Sequence, residues 1–155
     1  MWVTIDPGIN SGWAIWSLRG LVACGLGDPR LSDRHVVVGV EPQQDVIHDV
    51  WIEGQIIYPR LKIDPNDIVK LAQDAGRWAG RYDSVAVDTH FVLPAAWKGQ
   101  VPKDIHHARV WAKLSTEEQE IVSRACRGMA VSKRHNVLDA VGLGVWVRIT
   151  QSGLR

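Results

Sequence analysis

WVTIDPGINSG, residues 2–12, joins a short β-branched run to a turn. The residues Val3, Thr4 and Ile5 favour a strand, and Pro7-Gly8 turns the chain. The strand ends in Asp6, a carboxylate that is costly to bury unless it holds a partner such as a metal ion or faces a phosphate. Asp-Pro-Gly is also ordinary turn chemistry, so this stretch alone leaves both interpretations of Asp6 open.

Length and composition indicate one globular domain over residues 1–155. The chain is 46% hydrophobic and 23% charged, which is typical of a globular protein with its own core. No apolar run reaches the length of a membrane span, and no basic-then-apolar leader begins the chain, so we expect neither an anchor nor a signal peptide. Two cysteines imply no disulfide framework and predict a reducing, cytoplasmic location.

The net charge of +1 conceals an uneven distribution of charge. Residues 1–96 contain 8 Lys/Arg and 12 Asp/Glu, whereas residues 97–134 contain 8 Lys/Arg and 4 Asp/Glu. A basic segment on an otherwise acidic chain predicts a polyanionic partner, although many charged segments are only solvated surface. Trp97 lies within this segment.

Alternating strands and helices predict a mixed α/β fold. Three strands form a meander, followed by a short buried strand and one further strand: Trp2–Ile5, Gly12–Leu18, Leu21–Leu26, Val50–Glu53 and Ser84–Val87. Three helices are predicted from apolar spacing and capping signals: Asn66–Gly80, Ser115–Arg127 and the mostly apolar Asn136–Ile149. Residues 89–105 are predicted to form a long functional loop. Residues 30–48 fit either a strand or a helix.

Asp139 falls in the first turn of the predicted last helix. His135 and Asn136 precede it by four and three residues, a spacing that places side chains on one helical face. Asp139 can therefore share a metal ion with either of them. Alternatively, Asp139 complements the helix dipole and Asn136 is the N-cap.

Three carboxylates, Asp6, Glu53 and Asp139, each follow or begin an otherwise apolar element. Buried together they would repel one another unless cations neutralised them. Hard oxygen ligands favour Mg²⁺ or Mn²⁺. Two such ions about 4 Å apart activate water and stabilise the leaving oxygen in phosphodiester hydrolysis.

Four motifs in this order resemble the RuvC branch of the RNase H-like nucleases. They are IDPG-x3-G at 5–12, IEG at 52–54, P-x2-WKG-x2-PK at 94–103 and HNVLDA at 135–140. The resemblance implies an RNase H-like fold, with a five-stranded mixed sheet of three antiparallel meander strands plus parallel strands, flanked by helices. The short chain and the altered helix motif suggest a phage-type or otherwise divergent member, which would act in the cytoplasm of its host.

The resemblance also implies roles for individual residues. Asp6 would bridge both metal ions, with Glu53 and Asp139 as the other acids. The family has Asp or His three residues before the last acid, where this chain has Asn136, so the fourth ligand is either His135 or Asn136. Lys98 and Lys103 match basic residues that act at the scissile phosphate.

The implied partners are branched DNA and a second copy of the chain. Residues of the basic segment are expected to contact DNA: Trp97, Lys98, Lys103, Arg109, Lys133 and Arg134. Trp97 is expected either to stack on an unpaired base or to anchor its loop. The helix Asn66–Gly80 would form the homodimer interface through Ile68, Leu71, Ala75 and Trp78.

The predicted activity is therefore that of a junction-resolving endodeoxyribonuclease, or Holliday junction resolvase. Two alternatives remain: a YqgF-like nuclease acting on structured RNA, and a branched-nucleic-acid binding protein that has lost catalysis through the change at Asn136. An actin-like ATP-binding module shares the D-x-G-x(n)-G pattern but needs a second domain, for which 155 residues leave no room.

Overall fold

The computed structural model describes residues 1–27, 47–55, 64–83 and 88–152. The strand predicted at Ser84–Val87 and nearly all of the undecided segment 30–48 lie outside these ranges.

The five strands of the described chain form one mixed sheet in the order β3-β2-β1-β4-β5. β2 pairs antiparallel with β1 and with β3, and β4 pairs parallel with β1 and with β5. The bounds are β1 Trp2–Asp6, β2 Gly12–Ser17, β3 Gly20–Leu26, β4 Asp49–Glu53 and β5 Asp88–Val92. A three-strand meander continued by two parallel strands is an RNase H-like sheet, which confirms the predicted fold class.

Five helices flank this sheet within the described residues. They are α1 Pro65–Tyr82, α2 Pro94–Trp97, α3 Lys103–Trp111, α4 Thr116–Ala125 and α5 Val131–Ser152. The structure confirms the helices predicted near α1 and α4. The loop predicted at residues 89–105 is wrong, because this stretch contains most of β5, all of α2 and the start of α3. The last helix begins at Val131, not at Asn136, so Asp139 lies in its third turn rather than its first.

The alternation of side chains along β1 divides the core between the two faces of the sheet. Val3 and Ile5 pack with residues of α1 on one face. Thr4 points to the other face, where its hydroxyl donates a hydrogen bond to the Ala140 carbonyl of α5 at 2.7 Å. The middle of β1 is thereby held against the middle of α5, which places the end of β1 beside Asp139.

Half of the residues that were predicted to form a dimer interface on α1 pack against the sheet of the same chain. Ala75 and Trp78 are buried against β1 and β4, and the Trp78 indole N–H donates to Ser11 Oγ at 3.0 Å. The assignment of these two residues to a dimer interface is therefore wrong. Ile68 and Leu71 are half-buried on the same helix.

Glycines let α5 approach the sheet closely. A Cβ at Gly12 would collide with the main-chain carbonyl of Asn136, and one at Gly144 would collide with the Trp16 indole. No helix among the described residues has the length and hydropathy needed to cross a membrane.

Candidate active site

Asp6 and Glu53 end two neighbouring parallel strands. Ile5 pairs with Ile52, so the next residue of each strand, Asp6 and Glu53, lies at the same edge of the sheet. Asp139 of α5 lies at this edge too, and the charges of Glu53 and Asp139 both act on Asp6. The structure therefore brings together the three acids that the sequence singled out.

The surroundings of Asp6 disfavour its charged form. Among the described residues its carboxylate makes no hydrogen bond and no ion pair. Burial, then the negative charges of Glu53 and Asp139, raise the pKa of Asp6 well above its ordinary value. A carboxylate in this position is stabilised by a cation.

Glu53 is held by the segment that follows β5. The side chain is 6% exposed. Its Oε2 accepts from the Trp97 indole N–H at 3.1 Å, and the Lys98 ammonium donates to Oε2 at 2.9 Å and to Oε1 at 3.1 Å. Burial raises the pKa of Glu53 more than the Lys98 charge lowers it.

Asp139 is held by α3. It is 3% exposed; its Oδ2 pairs with the Lys103 ammonium at 2.8 Å, and its Oδ1 accepts from His107 Nε2 at 2.9 Å. Burial raises the pKa of Asp139, but the hydrogen bonds from His107 and Lys103 outweigh it and bring the pKa to about 2. Asp139 is therefore a carboxylate at every physiological pH.

Among the described residues, neither of the two candidates for the fourth metal ligand, His135 and Asn136, makes a side-chain hydrogen bond to an acid of the site. Asn136 donates from its amide nitrogen to the Asn10 carbonyl at 2.7 Å, which fastens α5 to the turn after β1. His135 is half-buried and makes no hydrogen bond with the described residues. Its pKa is lowered by burial and then by the Lys103 charge. Neither side chain contacts Asp139 as His107 does.

The ligand atoms of Asp6, Glu53 and Asp139 do not all lie within 4.8 Å of one another. Among the described residues, the one group of three ligand residues whose atoms all lie within 4.8 Å of one another is Asp49, Asp88 and His90. These residues lie at the start of β4 and in β5, at the opposite end of the sheet, and the sequence analysis did not assign them to a site. His90 pairs with Asp49 at 3.1 Å and stacks on Trp51, so this group is already connected internally.

Most of the predicted DNA-contact residues are accessible, but one is not. Arg109, Lys133 and Arg134 are exposed, and Lys103 is 53% exposed although it pairs with Asp139. Trp97 is 8% exposed with its N–H on Glu53, so its assignment as a DNA contact is corrected: it positions an acid instead.

A different tryptophan is open to a ligand. Trp111 is exposed at the end of α3, on the rim of a pocket of about 320 Å³. The other residues lining this pocket are Val122, Ser123, Cys126, Arg127, Arg134 and Leu138. The sequence analysis missed Trp111 and also His107, although both lie in the basic segment that it singled out.

Comparisons with known proteins identify similar solved structures only. No family model matches, and no curated protein matches. RuvC of Thermus thermophilus is 18% identical, with a TM-score of 0.48 over 97% of this chain and 95% of that one. Along most of its length, this chain is similar to RuvC. The T. thermophilus RuvC in complex with a Holliday junction substrate is 16% identical over the same shares of the two chains, with a TM-score of 0.41.

Proposed function

We propose that this chain is a divalent-metal-dependent endodeoxyribonuclease that resolves four-way (Holliday) or other branched DNA junctions. The observation that carries the proposal is the meeting of Asp6, Glu53 and Asp139 at one edge of the sheet, where no described residue pairs directly with the Asp6 carboxylate. Three elements far apart in the sequence deliver these acids, which is typical of a built catalytic site.

The donor set fits Mg²⁺ or Mn²⁺. Carboxylate oxygens are the ligands that these ions prefer, and Asp6 supplies a buried charge in need of a cation. Asp6, Glu53 and Asp139 would hold two ions. When bound, the ions supply an activated water and stabilise the leaving oxygen of the phosphodiester.

Lys98 and Lys103 would exchange partners when substrate and metal bind. In this structure each ammonium neutralises one acid, Glu53 and Asp139 respectively. If Glu53 and Asp139 bound a cation, both ammonium groups would be free for the phosphate at the point of cleavage. The lysines would then bind the scissile phosphate and offset the charge that develops on it.

The DNA would lie across the exposed basic residues that surround the acids. Lys and Arg contacts to phosphates give affinity without sequence information, which suits an enzyme that recognises branched shape. Trp111, beside Arg127 and Arg134, offers a ring on which an unpaired base of the junction would stack. A homodimer through the outer face of α1 would present two such sites to one junction.

The test is incubation with a labelled four-way junction in Mg²⁺, Mn²⁺ or EDTA, with a flap, a linear duplex and an RNA stem-loop alongside. We expect metal-dependent, paired symmetric nicks in the junction, and none from Asp6→Asn. Asp67→Asn, which removes an exposed carboxylate of α1 that pairs with Lys70, is the control and should cleave normally.

Two other results would replace the proposal. Tight junction binding without cleavage in any metal would favour a binding protein that has lost catalysis. Cleavage of the RNA stem-loop alone would favour the YqgF-like alternative.

A further inference from the structure

We infer that His107 of α3 is the nitrogen ligand of the metal site, in the place that helix spacing assigned to His135 or Asn136. The inference rests on the proposed function, since it concerns the same site. It adds a ligand from α3, a helix that carries none of the metal ligands predicted from the sequence.

Helix α3 directs two side chains at the two oxygens of Asp139. Lys103 begins the helix and pairs with Oδ2, and His107, one turn later, bonds Oδ1 through Nε2. Residues four apart share a helical face, so both point at α5. The His107 ring is mostly buried, and its neighbour His106 packs edge-on against Trp97, whose N–H bonds Glu53. Helix α3 thus contacts Asp139 directly and Glu53 through Trp97.

The separation of the two atoms suits a shared ion. His107 Nε2 lies 2.9 Å from Asp139 Oδ1. Two adjacent ligand atoms of an octahedral ion, with bonds of about 2.1 Å, lie about 3 Å apart. An ion bound by both atoms would replace the hydrogen bond between them, and the imidazole would turn so that Nε2 faces the ion instead of the Asp139 oxygen. Nε2 must give up its proton to bind an ion, so the neutral imidazole would carry its proton on Nδ1 instead.

The two residues of α5 are less suited to this role. The Asn136 amide is fastened to the Asn10 carbonyl at 2.7 Å, on the turn after β1. His135 makes no hydrogen bond with any described residue, and so no contact orients its ring toward Asp139. Of the site's histidines, His107 is the one that has a ring nitrogen within hydrogen-bond distance of an acid among the described residues.

The test is pulsed electron paramagnetic resonance of the protein with Mn²⁺, together with calorimetric titration of Mn²⁺ and Mg²⁺. We expect a ¹⁴N coupling from one imidazole in the wild type. It should disappear in His107→Gln and persist in His135→Gln and in His48→Gln, an exposed histidine at the other end of β4. His107→Gln should weaken Mn²⁺ binding at least about tenfold. It should weaken Mg²⁺ binding less, because Mg²⁺ depends more on oxygen ligands.

The outcomes separate this inference from the proposed function. Mn²⁺ binding that requires Asp6 but shows no ¹⁴N coupling in the wild type would overturn the inference and leave the metal site standing. Loss of the coupling in His135→Gln, with retention in His107→Gln, would also overturn it. If the wild type binds no Mn²⁺ at all, both the inference and the proposed metal mechanism fail. The wild-type spectrum decides the first point even if His107→Gln folds poorly.

Discussion

Asp6 shows how a single residue can be set for function at the expense of stability. Because its folded-state pKa lies above the unfolded value, stability is lost as the pH rises from the unfolded pKa toward the folded one. Because Asn does not ionise, Asp6→Asn removes this pH-dependent loss of folding stability. We expect the variant to unfold several degrees higher near neutral pH, reflecting relief of about 1–3 kcal/mol, and to cut no DNA.

Thermal unfolding at about pH 4 and about pH 7.5 checks this prediction, since the ordinary aspartate pKa is about 3.9. The stability gain of Asp6→Asn should be large at the higher pH and small at the lower. Added Mn²⁺ should stabilise the wild type and not the variant, because only the wild type binds the ion. An equal gain at both pH values would show that Asp6 is not held at a raised pKa.

Lys98 competes with a metal ion for Glu53, and its loss should separate metal binding from catalysis. The ammonium group makes two hydrogen bonds to a carboxylate that is 6% exposed. Charge-assisted bonds of this kind contribute about 1.5–3 kcal/mol, equivalent to about tenfold or more in affinity. We expect Lys98→Met to bind Mn²⁺ about tenfold more tightly and to cleave the junction far more slowly.

Calorimetry and single-turnover cleavage measure the two effects separately. Lys70→Met is the matched control, because Lys70 pairs with Asp67 on the surface of α1. It should change neither quantity. Weaker Mn²⁺ binding by Lys98→Met would mean that the lysine supports the metal site instead of competing for it.

At the scale of secondary structure, local patterns identified β1 to β4 and missed the segment that contains β5, α2 and the start of α3. The meander was predictable because two apolar runs are separated by Arg19-Gly20, and the structure has that hairpin at Ser17–Gly20. The prolines at 94 and 102 were interpreted as loop residues. They begin helices instead: Pro94 is the first residue of α2, and Pro102 is the N-cap of α3.

The acids of the site and the two lysines beside them were predictable, whereas His107 was not. Asp6 and Glu53 end apolar strands, a position that sequence reveals directly. His107 depends on which face α3 turns toward α5, and this is set by burial of His106 and Val110. Such tertiary packing leaves no periodic signal in a helix of nine residues.

Gly12 of β2 allows α5 to approach the sheet closely. A methyl group at Gly12 would collide with the Asn136 carbonyl and push α5 away from the sheet, and Asp139 with it. We expect Gly12→Ala to lower the free energy of unfolding by about 3 kcal/mol, as overpacking does, and to weaken Mn²⁺ binding strongly.

Denaturant unfolding and Mn²⁺ titration measure both consequences. Gly80→Ala is the control, because a Cβ there meets no atom within 4 Å and alanine favours the helix. It should raise stability by about 0.4–1 kcal/mol and leave the metal site intact. Unchanged Mn²⁺ binding by Gly12→Ala would show that the position of Asp139 does not depend on this approach.

At the scale of the whole molecule, the uneven charge predicts how DNA binding responds to salt. Arg109 and Lys133 are exposed and lie in the basic segment. If each contacts one phosphate, its replacement by Gln should reduce the slope of log affinity against log salt by about 1. Junction binding measured over a salt series tests this. Arg19→Gln, in the hairpin at the far end of the sheet, should leave the slope unchanged.

The oligomeric state of the protein determines whether a junction is cut in one strand or in both. Since Ala75 and Trp78 are buried within the chain, a dimer through α1 must use its outer face, where Val69, Ala72 and Gly76 are exposed. We expect Ala72→Arg to convert a dimer into a monomer, seen by sedimentation. On a cruciform plasmid, a dimer cuts both strands and yields linear DNA, whereas a monomer yields nicked circles. Linear product from a monomeric Ala72→Arg would mean that paired cleavage does not need this face.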